Sequence, residues 1–85
     1  MARLTVSNHS DKAMDLAIEP WADVETMGPL GRALFEYDEP AYVEFVVVKD
    51  GEVAVHIYSE NVKVSANDKE KHFQMPGGWT FIQES

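Results

Sequence analysis

Cysteine is missing from the 85-residue sequence, so the fold has no disulfide staple, no thiolate nucleophile and no cysteine-ligated zinc or iron–sulfur site. Stability must come from packing, in a chain long enough for one domain. Basic residues are scarce: seven Lys and Arg stand against fifteen Asp and Glu, a formal charge of −8. Such a surface repels phosphate backbones and argues against direct nucleic-acid binding. No apolar run approaches the roughly 20 residues that span a bilayer, and Met1-Ala2-Arg3-Leu4-Thr5 opens no signal-peptide core. The expectation is a cytoplasmic protein with no membrane partner.

What is present is alternation. Apolar residues make up 45% of the chain and charged residues 26%, an ordinary globular balance, and the apolar ones recur mostly at every second position, the period of a pleated strand. Leu4 and Val6 form a first short strand, ending in the turn-forming run Ser7 to Lys12. Met14, Leu16 and Ile18 mark a half-buried strand that Pro20 ends or confines to a sheet edge. Residues 42–48 and 53–58 are rich in β-branched and aromatic side chains, and the Asp50-Gly51 pair between them predicts a hairpin with a type I′ turn. Pairing Lys49 with Glu52 and continuing without a break puts Glu44, Val46, Val48, Val53, Val55 and Ile57 on one face. Val43, Phe45, Val47, Ala54, His56 and Tyr58 then share the other. Both faces are largely apolar, which predicts a place in the middle of the fold or at an association surface, not at a solvated edge.

Residues 29–37 fit a helical stripe and a strand, and the turn-like Gly28-Pro29-Leu30-Gly31 favours the strand. Val62, Val64 and Ala66 read as the last core strand, followed by a charged run at Asn67 to Lys71. The reading is an all-β fold: a small antiparallel β-sandwich or partly open barrel of about five to seven strands. Residues 1–66 form the domain, and residues 67–85 a C-terminal tail that docks on it or on a neighbouring chain.

The chemistry-bearing residues are few. Glu19-Pro20-Trp21-Ala22-Asp23 sets two carboxylates beside a rigid proline and an indole at a strand end. Such a cluster can stack a sugar ring or hold a cation, or it can cap the core through Trp21. His9, His56 and His72 are far apart and match no spacing that would aim two imidazoles at one metal ion. No nucleophile elbow surrounds any serine, and Gly77-Gly78 lacks the lysine of a phosphate loop. No catalytic residue, metal site or cofactor is expected.

The order Asn8, Ser10, then Met14, Leu16 and Ile18, then Glu19-Pro20-Trp21 and Gly31, running loosely into the Asp50-Gly51 hairpin, resembles a widespread group of small bacterial all-β proteins of uncharacterised activity. The resemblance covers about two-thirds of the chain and implies an all-β domain without a cofactor or catalytic residue. Ala22 stands where such sequences often carry glycine, a departure at the turn after Trp21.

The functional expectation is a non-enzymatic, acidic protein-interaction module whose partner is a basic or flexible protein or a second copy of itself. Two acidic blocks carry it: Asp11, Asp15, Glu19, Asp23 and Glu25, then Glu36, Asp38, Glu39 and Glu44. The candidate contact residues are Glu19, Trp21, Asp23, Tyr42, Tyr58 and Trp79. The alternatives are a carbohydrate or small-molecule binding module using these aromatics, and an acidic inhibitor of the immunity type.

Overall fold

The computed structural model describes residues 1–75. Among these residues eight strands form two four-stranded sheets packed face to face: β1 (Ala2–Ser7), β2 (Met14–Glu19), β3 (Asp23–Met27), β4 (Arg32–Tyr37), β5 (Tyr42–Lys49), β6 (Glu52–Tyr58), β7 (Asn61–Ala66) and β8 (Lys69–Gln74). The first sheet runs β1-β4-β7-β8 and the second β3-β2-β6-β5. Five of the pairings are antiparallel; β2 and β6 pair in parallel, which departs from the all-antiparallel expectation. The ambiguous stretch is strand β4. The charged run after Ala66 divides into a turn at Asn67-Asp68 and strand β8, which completes the first sheet. The segment expected as a tail therefore contributes a strand up to Gln74, and residues 76–85 lie outside the described residues.

The inner faces of both sheets supply the core. Leu16 and Ile18 of β2, Met27 of β3, Ala33 and Phe35 of β4, Val55 and Ile57 of β6, and Val62, Val64 and Ala66 of β7 form one buried cluster. Alternation produces it, because successive side chains of a strand point to opposite faces. The central strands β2, β4, β6 and β7 provide nearly all of its members.

Turn chemistry departs from the expectation at one place. A type I′ turn needs positive φ at both central residues. That condition is met at Asn67 and Asp68, with φ of 53° and 60°, whereas in the Asp50-Gly51 hairpin Gly51 takes positive φ and Asp50 does not. The hairpin also carries an irregularity between Val47 and Lys49: Lys49 stands opposite Glu52, but from Val47 back to Tyr42 the register has moved by one residue. An extra residue in one strand reverses its alternation relative to its partner. Val43, Phe45 and Val47 thus share the core side with Ile57, Val55 and Val53, while Tyr42, Glu44 and Val46 lie on the outer side with Tyr58, His56 and Ala54. The uninterrupted register had placed the β5 residues on the opposite faces, and had kept β5 away from an edge. β5 is an edge strand, and Phe45 and Val47 are 53% and 79% exposed.

Asn8 ties the β1–β2 loop to the β3–β4 turn. Its buried side-chain amide donates to the carbonyls of Lys12, Met27 and Gly28, and its side-chain oxygen accepts from the backbone N–H and hydroxyl of Ser10. Gly28 to Gly31 close a turn in which the Gly31 N–H donates to the Gly28 carbonyl at 2.9 Å, with Pro29 second and Leu30 third at φ 63°. Ser59, also buried, donates its hydroxyl to the Asp38 carbonyl at 2.6 Å, joining the β6–β7 link to the β4–β5 link.

Candidate functional site

The residues flagged in the sequence separate into two groups. Trp21 and Asp23 face the rim where β3 lies against β8. The Trp21 ring packs on Phe73 of β8 with centroids 4.9 Å apart, and its Nε1–H donates to the Gln74 carbonyl at 3.3 Å. Asp23 and Glu25 lie on the core side of β3, because Asp23 shares a register position with Ile18 and Glu25 with Leu16. Both carboxylates reach the Lys71 Nζ, Glu25 at 2.6 Å and Asp23 at 2.9 Å. Asn67 Nδ2 donates to the other Glu25 oxygen at 3.1 Å, and to the Thr26 carbonyl. Hydrogen bonding to Glu25 first, and to Asp23 next, holds the Lys71 ammonium above the ordinary lysine value of 10.5. These contacts give the indole and the Asp23 carboxylate work within the sandwich, closing one rim.

Glu19, Tyr42 and Tyr58 sit on the outer face of the second sheet. The registers order that face in rows across the strands. Thr26, Asp15, Glu52 and Lys49 form one row, and Val24, Ala17, Ala54 and Val46 the next. Glu19, His56 and Glu44 follow, and then Tyr58 with Tyr42. The middle row is small and apolar, with acidic rows on both sides. In the flanking rows, Thr26 Oγ1–H donates to Asp15 at 2.9 Å, Tyr42 O–H donates to Glu44 at 3.1 Å, and the two tyrosine rings lie 6.1 Å apart. Lys49 approaches Glu52 at 3.9 Å.

The outer face of the first sheet has a different character. Arg3, Arg32 and Lys63 share it with Glu36 and Glu70, and its acids are engaged: Glu36 with Lys63 at 3.2 Å and Arg3 at 3.6 Å, Glu70 with Lys63 at 4.0 Å. A concavity of about 500 Å³ lies there, lined by Glu36, Asp38, Asn61, Lys63, His72 and Gln74 among others. Asp38 at its margin accepts from Asn61 Nδ2 at 3.0 Å, and Asn61 in turn accepts from Gln74.

Charge is therefore sorted between the faces. The second sheet shows four carboxylates and one lysine outside, the first sheet three basic groups and two acids. Such sorting follows from register alone and is invisible in total charge. Asp15, Glu44 and Glu52 join Glu19, Tyr42 and Tyr58 on this surface; the signal that could have found them is strand parity with the extra residue at Val48 included. Trp79 lies outside the described residues. Among the described residues no group of three or more His, Asp or Glu is arranged to hold a metal ion, and no helix is long and apolar enough to cross a membrane.

Comparison with known proteins finds no protein family, no curated protein and no solved structure that matches the chain.

Proposed function

We propose that this chain is a non-enzymatic interaction module that binds a basic protein partner on the outer face of its β3-β2-β6-β5 sheet. The observation that carries the reading is the charge sorting: Asp15, Glu19, Glu44 and Glu52 surround the apolar row Val24, Ala17, Ala54 and Val46, with Lys49 as the one lysine and His56 between Glu19 and Glu44. A surface of one sign steers an oppositely charged partner and raises its association rate, while Val24, Val46 and the two tyrosines offer area to bury once it has arrived, with Ala17 and Ala54 buried between the two valines. The acids stand on an open sheet face in water, a setting for contact and not for the desolvated proton transfers of catalysis.

The test is a titration of the isotopically labelled chain with decalysine, followed by amide chemical shifts, with decaglutamate as control. Shifts concentrated on β2, β5 and β6 and lost at about 0.5 M salt, where the Debye length falls to a few ångströms, are the expected result. A Glu19→Gln, Glu44→Gln, Glu52→Gln triple variant then weakens binding. Shifts spread evenly over both sheets, or binding indifferent to salt, would overturn the reading.

A further inference from the structure

Each sheet has two edges, and they are not alike. β3 and β8 turn Asp23, Glu25 and Lys71 inward, the arrangement by which an edge strand is kept from pairing with another chain. On β1, Leu4 and Val6 are half-buried against the core. Among the described residues β5 carries no inward charge, and of its inner residues only Val43 is half-buried against the core. From Tyr42 to Val48 its one charge is Glu44, which points outward, and on its inner side Phe45 and Val47 stay 53% and 79% exposed. It is also the longest strand among the described residues, at eight residues.

We infer that β5 accepts an extended segment of the partner as a fifth strand of the second sheet, and that this segment alternates apolar and basic residues. The inference rests on the functional reading above and names the part of the partner that binds. An open edge offers unpaired N–H and C=O groups that a strand satisfies at once, and its two faces then select alternate side chains. On the inner side the added residues would cover Phe45 and Val47, which calls for apolar groups. On the outer side they would stand beside Glu44, in the row that continues through His56 to Glu19, which calls for lysine or arginine. A second copy fits less well: pairing β5 with β5 would fuse two acidic faces into one sheet, each chain bringing a charge of −8.

The experiment measures binding of a labelled, end-capped, nine-residue peptide of alternating valine and lysine to the full chain. Its companions are a peptide of the same composition with the lysines blocked together, and two peptides N-methylated on either the valines or the lysines. We expect the alternating peptide to bind and the blocked one to bind at least about tenfold more weakly. One N-methylated peptide should lose about tenfold or more, because several ladder hydrogen bonds go together, while the other retains affinity. Val47→Lys, which places an inward charge on an already exposed position, should abolish the preference for alternation while decalysine binding persists. Equal binding of alternating and blocked peptides, or no effect of either N-methylation, would overturn the inference. So would sedimentation showing a wild-type dimer that Val47→Lys dissolves, since a second copy would then hold the edge. If decalysine still binds the outer face while the alternating peptide fails, the strand-addition idea falls and the functional reading stands. If neither binds, both fall.

Discussion

Replacing Asn8 tests whether the loops at one end of the sandwich depend on a single side chain. Asn8 is 1% exposed, and its amide donates at 2.8 Å to Lys12, 3.2 Å to Met27 and 3.1 Å to Gly28. Its side-chain oxygen accepts from Ser10 N–H at 3.0 Å and Ser10 Oγ–H at 2.7 Å. Asn8→Ala removes the donor from the Met27 and Gly28 carbonyls, where an uncompensated buried group costs about 1–3 kcal/mol. Water can reach the Lys12 and Ser10 side, so the loss should total about 3 kcal/mol. With a urea slope of about 1–1.5 kcal/mol per molar for a chain this small, the midpoint should fall by about 2–3 M. Asn8→Asp should be worse at neutral pH, because a carboxylate would face three carbonyl oxygens. That environment raises the introduced carboxyl's pKa above its unfolded value of about 3.9, so the native state keeps a proton the unfolded chain has lost. Stability of this variant should then fall as pH rises from about 4 through the raised value, and its deficit should be smallest in acid. Urea unfolding of the three proteins across that range decides the matter. A loss below about 1 kcal/mol for Asn8→Ala, or a pH-independent gap between Asn8→Asp and wild type, would refute the reasoning.

Three further outcomes follow from the same geometry. Lys71 is held above its ordinary 10.5 by Glu25 and Asp23, so its contribution is full below that value and lost as pH rises through the raised one. The stability difference between wild type and Lys71→Met, measured by denaturant unfolding, should be constant at neutral pH and shrink in strong alkali; a difference unchanged there would contradict the ion-pair account. Ala22 and Leu30 sit at φ of 55° and 63°, a region costing an L-residue about 1–2 kcal/mol, of which glycine returns part to chain entropy. Ala22→Gly and Leu30→Gly should each raise stability by about 0.5–1 kcal/mol and add when combined, as separate turns do; calorimetry showing a lower midpoint for either would speak against it. In a Trp79→Phe background, Trp21 should emit blue-shifted from free indole and resist iodide, and Phe73→Ala should shift that emission to the red. Emission already that of free indole would mean that the Trp21–Phe73 packing does not form.

The sandwich was legible where alternation was clean. Leu16, Ile18, Val55, Ile57, Val62 and Val64 were all marked by period two and are all buried. β3 gave no such signal, because its inward positions are Asp23, Glu25 and Met27 and its outward ones include Val24, an inversion compensated by Lys71, 48 residues from Asp23, and by Asn67. β8 hid for the same reason, its inner side carrying Lys71. The candidate surface was half legible: acidic excess and the two tyrosines could be read, but which carboxylates share a face depends on the extra residue at Val48, and Val-Val-Val offers no local mark of where it falls. No local feature of the sequence marks the positive φ that Ala22 takes, a backbone that glycine favours.

The parallel ladder between β2 and β6 bears on how the molecule comes together. Each of the pairs β2–β3, β5–β6 and β7–β8 joins neighbours in sequence and can zip locally, whereas Asp15 meets Glu52 across 37 positions. Closing so long a loop before any contact rewards it is slow, so the meeting of β2 with β6 is the natural bottleneck in folding, and the amides along that seam are the ones whose hydrogen exchange should track global unfolding.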